Sequence, residues 1–110
     1  GEEGRVLAFE PCPENYPLLE KNICANRHKN VRTYPYAASS KNGDAVLFLS
    51  PGHSNHSLNS GYTIECGKEI VKTISLDSFL ANQNIHSVDF VKIDVEGAET
   101  LVLEGMREII

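Results

Sequence analysis

The chain has 110 residues, 41% of them hydrophobic, with a formal net charge of -5 and an isoelectric point near 5.3. This describes one globular domain with a modest core. Scattered lysines and arginines argue against nucleic-acid binding, and no apolar run approaches the roughly 20 residues of a membrane span. Cys12, Cys24 and Cys66 are odd in number and form no C-x-x-C pair, so neither a disulfide framework nor a zinc knuckle is indicated. A soluble, cytoplasmic setting without a secretion signal is expected.

Val6, Leu7, Ala8 and Phe9 form an apolar run closed by Glu10 and Pro11, which predicts a short strand that Pro11 and Pro13 prevent from continuing. Tyr16, Leu19 and Ile23 then predict a helix of roughly thirteen residues with Pro13 or Glu14 in its first turn. An acid at a strand tip that feeds a helix can accept hydrogen bonds from both hydroxyls of a ribose. Glu10 is thus a candidate nucleoside ligand, the alternative being a solvated acid at a strand end.

Residues 30–38 read as another strand, disturbed near its end by Pro35, and Lys41, Asn42, Gly43 and Asp44 read as a turn. A further apolar strand is expected over 45–49. The polar stretch 50–61 has too few apolar residues to be an element and is either functional or mobile. His53 and His56 lie three apart within it, and with Asp94 or Glu96 they offer nitrogen and oxygen donors; the spacing permits a divalent metal without specifying one, and none is assigned. Residues 62–66 and 69–75 are expected to form an antiparallel ribbon joined by a turn at Gly67 and Lys68. Ser75 is placed to cap a short helix over 76–82, with Asp77 in its first turn. His28 and His86 fall in connections and are expected at the surface.

The most informative stretch is 88–99. Phe90, Val91, Ile93 and Val95 suit a strand covered on both faces, and Gly97 permits a sharp turn. Ala98, Leu101, Val102 and Met106 follow at helical spacing. In open α/β sheets ligands bind beyond the carboxyl ends of the strands, where Asp94 and Glu96 stand. The plainer alternative is that Glu96 and Glu99 only complement the positive start of the next helix.

Taken together, Val6-Leu7-Ala8-Phe9-Glu10-Pro11, Thr73-Ile74-Ser75-Leu76-Asp77-Ser78-Phe79 and residues 88–99 followed by Val102-Leu103-Glu104-Gly105 resemble the FkbM family of S-adenosylmethionine-dependent methyltransferases. The resemblance runs along essentially the whole chain. It implies an α/β fold, a Rossmann-like class I methyltransferase sheet of which these residues hold the second, third and fourth strands with an inserted antiparallel ribbon. Such a sheet would be truncated at both ends. The family's glycine-rich first motif has no counterpart, because Gly1 and Gly4 precede the strand that ends in Glu10.

By position, the resemblance implies that Glu10, with Pro11 beside it, binds the ribose hydroxyls and that Ala37 and Ala38 lie near the adenine. Asp94 would face the methyl-transfer site with Glu96 next to it. Ser57 and His56 would close over the nucleoside or the acceptor. A sulfonium methyl is already activated, so such an enzyme has only to align an acceptor oxygen and remove its proton. Asp94 or His56 would be the base, or Asp94 would orient the hydroxyl. The acceptor is expected to be a glycan or small-molecule hydroxyl. Two rivals stand beside this reading: an NAD-type oxidoreductase, which also reads ribose with a strand-tip acid, and a non-catalytic piece that self-associates through unpaired sheet edges.

Overall fold

The computed structural model describes residues 4–49, 67–95 and 97–110. The first apolar run is strand β1 (Val6–Phe9), helix α1 (Asn15–Ala25) crosses over, and strand β2 (Val31–Tyr34) returns parallel to β1. Val6 pairs with Val31 and Phe9 with Tyr34, and the ladder is prolonged at the top by the Glu10 amide donating to the Tyr34 carbonyl at 3.0 Å. α1 has 11 residues and begins after the expected position, because the Cys12 carbonyl accepts the amides of Asn15 and Tyr16 and so occupies residues 12–14 with the entry turn. Pro17 falls within the first turn, where a missing N–H costs no intrahelical bond.

The strand expected over 30–38 divides at Pro35, which has no N–H to give a ladder. Its second half is strand β3 (Tyr36–Ala38), and it belongs to a different sheet. That sheet has the order β3-β5-β4, with β4 spanning Gly43–Leu49 and β5 spanning Gly67–Ile74. β3 runs parallel to β5, and β4 antiparallel to it from Gly43↔Thr73 to Leu49↔Gly67. The expected turn at Gly67 and Lys68 is therefore replaced by strand: both residues pair with the end of β4, which supplies a longer ladder than a two-residue turn would. The antiparallel partner of β5 is β4. Residues 62–66 and the polar stretch 50–61, with His53, His56 and Ser57, lie outside the described residues.

Helix α2 (Leu76–Asn82) forms as its cap residues dictate. Ser75 is extended (φ -85°, ψ 136°) and its side chain accepts the Ser78 amide at 3.3 Å, while Asp77 sits in the first turn. Gly97 adopts φ 82°, a left-handed conformation that favours glycine, and turns the chain into helix α3 (Glu99–Glu104). Ala98, Val102 and Met106, spaced four apart, are buried, whereas Leu101 is exposed.

Two apolar clusters hold these pieces. Cys12, Ala37, Leu47 and Val71 form one; Leu76, Leu80, Val102 and Met106 form the other, with Leu7, Phe9, Ile93 and Val95 packed against it. The architecture is mixed α/β, in two small sheets rather than one continuous sheet. The expected strand over 88–95 does not form. A strand exists through its ladder, and among the described residues no strand pairs with this segment. Ile93 and Val95 are half-buried on the helical layer, while Phe90 is 82% exposed.

Candidate active site

β1 and the segment 93–95 lie on the same helical layer, because Leu7, Phe9, Ile93 and Val95 all pack against the cluster of α2 and α3. Between them runs a groove of about 970 Å³. Its walls hold Glu10 and Pro11 from the tip of β1, Ala37 and Ala38 from β3, and Asp94. The five described residues singled out from the sequence thus line one space, although they come from three separate stretches of chain. Glu96, His56 and Ser57 are not among the described residues, so no position is assigned to them. His28 and His86 are exposed.

Glu10 is held through both its side chain and its backbone. Its Oε1 accepts the Cys12 amide at 3.1 Å, and its own backbone amide is held by Tyr34. Oε2 accepts no hydrogen bond among the described residues, which leaves a free acceptor on a half-buried residue of the groove lining. Ala37 is buried in the cluster with Cys12, Leu47 and Val71, and Ala38 is half-buried, so Ala38 presents the more open apolar surface of the two. An acceptor oxygen next to apolar walls is an acceptor and surface set that suits a nucleoside. Asp94 is exposed and has no hydrogen-bond partner among the described residues, so its carboxylate is available to a bound hydroxyl.

Several features of the groove were not read from the sequence. Tyr36 lines it, and belongs to an aromatic group in which Phe79 meets Phe9, Tyr34 and Tyr36 edge-on at 5.1, 4.7 and 6.3 Å. Phe9 and Tyr34 stack at 5.4 Å, so the rings stiffen the strand tips that carry Glu10 and Ala37. The available signal was the aromatic residue immediately before each of those two positions. Arg5 and Lys92 add positive charge to a lining that also holds Asp89. Among the described residues no group of three His, Cys, Asp or Glu side chains is placed to hold a metal, and no helix is long and apolar enough to cross a membrane.

Comparison with known proteins adds the family. The chain is 33% identical over 106 residues to the hexuronic acid methyltransferase AglP of Haloferax volcanii, covering 94% of this chain and 42% of that protein. It is 26% identical over 136 residues to the methyltransferase sdnD of Sordaria araneosa, covering 96% of this chain and 52% of that protein. The chain thus spans about half the length of these curated relatives. No solved structure matches it. Because the methyltransferase FkbM domain matches residues 1–110 without interruption, this chain belongs to the FkbM methyltransferase domain family.

Proposed function

We propose that the protein carrying this domain is an S-adenosylmethionine-dependent methyltransferase that methylates a hydroxyl oxygen of a sugar or other small molecule. The observation that carries the reading is the convergence of Glu10, Pro11, Ala37, Ala38 and Asp94 on one groove. The groove's chemistry fits the donor's nucleoside half: Glu10 supplies an oriented acceptor for ribose hydroxyls, and Ala37 and Ala38 supply an apolar bed for the adenine. The parallel unit β1–α1–β2, with an acid at the first strand's tip, fits the part of a Rossmann-like sheet that would read a ribose. The name of the archaeal relative, which specifies a hexuronic acid, supports a sugar acceptor.

When bound, S-adenosylmethionine supplies an already activated methyl group. The chain's own contribution is then placement and proton handling. Glu10 holds the donor's ribose, and Asp94 orients the acceptor hydroxyl or takes its proton. Glu96, His56 and Ser57 remain candidates for the same work in this reading.

The test is calorimetric titration of the full-length protein with S-adenosylmethionine and, separately, NAD. Selective binding of S-adenosylmethionine is expected, weakened roughly 10- to 100-fold by Glu10→Ala, since a hydrogen bond to a charged group is lost. Asp94→Asn should lower kcat roughly 100-fold or more while leaving donor affinity near wild type. Selective NAD binding would reverse the choice of cofactor, and an unchanged donor affinity in Glu10→Ala would remove the ribose assignment.

A further inference from the structure

Asp77 lies outside the groove lining, yet its polar atoms join distant parts of the chain. Its Oδ2 accepts the Glu108 amide at 3.0 Å, its Oδ1 accepts the Ile109 amide at 3.1 Å, and its own amide donates to the Gly105 carbonyl at 2.8 Å. A carboxylate that served only the helix dipole would need none of these partners, which are about thirty residues away in sequence. Gly105 is wedged beside them. A Cβ there would overlap the Ser39 carbonyl oxygen and stand 3.3 Å from the Ser75 Cα.

Ser39 directly follows Ala38, and its amide is held by the Ile74 carbonyl at 2.8 Å. One carboxylate and one glycine therefore clamp three pieces together: the end of β3, the start of α2, and the turns after α3. Ala37 and Ala38 on the first piece line one side of the groove; Met106 and Ile109 on the third, with Val102 of α3, line another. α3 itself starts at the Gly97 turn that follows Asp94 closely in the chain.

We propose that Asp77 is a positioning residue for methyl transfer, holding the Asp94 side of the groove in register with the Glu10 and Ala38 side through the backbone of residues 105–109. The inference rests on the functional reading above. Donor binding draws on Glu10, Ala37 and Ala38, to none of which Asp77 is hydrogen-bonded among the described residues, whereas alignment of the acceptor depends on how α3 is seated. Loss of the clamp should consequently separate turnover from donor affinity.

The experiment measures kcat, donor affinity and thermal unfolding for Asp77→Ala and Asp77→Asn in the full-length protein, together with hydrogen exchange of the Glu108 and Ile109 amides. In Asp77→Ala, kcat is expected to fall roughly 10- to 100-fold, the penalty typical of small misplacements, with donor affinity near wild type. The amides of Glu108 and Ile109 should exchange faster, and Asp77→Asn, which keeps one acceptor oxygen, should recover part of kcat. Should the alanine variant not fold, the asparagine variant decides by the same split. A kcat that is unchanged, or that falls only in step with donor affinity or with the folded fraction, would overturn the positioning role. A wild-type protein that transfers no methyl group overturns the functional reading instead, and amide exchange then still reads whether the clamp exists.

Discussion

Residues 75–85 and residues 88–95 are neighbours with five apolar residues each, and they end in opposite conditions. The first stretch closes on itself and on the rest of the chain. Ser75 caps α2, Gln83 donates to the carbonyls of Phe79 and Leu80, Asn84 turns through φ 57°, and the Ile85 amide returns to the Leu80 carbonyl at 2.9 Å. The second stretch has no ladder partner among the described residues and leaves Phe90, Val88 and Val91 exposed. A helix satisfies its backbone within itself, while a strand must be given a neighbour.

The comparison can be broken or sharpened by substitution, with stability read from denaturant unfolding of the 110-residue chain. Gly105→Ala should have the largest effect, a loss of roughly 3 kcal/mol, because the added methyl meets the backbone of Ser39 rather than a side chain that can move. A near-neutral result would mean that the corner around α2 is looser than its hydrogen bonds imply. Ser75→Ala should cost about 1 kcal/mol through loss of the cap. Phe90→Ser should change stability by less than about 0.5 kcal/mol, as expected for a side chain that is 82% exposed. If that last substitution costs clearly more, something covers Phe90 and the contrast between the two stretches narrows.

Legibility from the sequence follows the same division. β1 with its terminal acid, the Ser75-capped helix and the glycine turn before α3 were each readable because the deciding residues are within a few positions of one another. The pairing of β4 with β5 was not, since Gly67 and Lys68 look locally like a turn and only the partners Leu49 and Phe48 make them strand. Pro35 reads locally as a disturbance, but the sheet that β3 joins depends on residues 72–74. The groove was partly legible: strand-tip positions named Glu10 and Asp94 and the family resemblance added Ala37 and Ala38, while Tyr36 and the aromatic group around Phe79 needed three-dimensional proximity. Asp77 was readable as a helix-start acid and unreadable as a clamp, because its two acceptor bonds span separations of 31 and 32 residues.

The free thiols have a practical consequence. Cys24 is exposed on α1, a helix without a single buried residue that is tied to β2 by the Tyr16 hydroxyl at 3.0 Å from Thr33 Oγ1. Cys12, at the foot of the same helix, is 1% exposed inside the cluster with Ala37, Leu47 and Val71. Of these two sulfurs, an alkylating reagent therefore meets that of Cys24 in the resting molecule and must wait for breathing to reach that of Cys12. The lag between the two labelling events is an internal stopwatch for how often the floor beneath the strand-tip carboxylate opens.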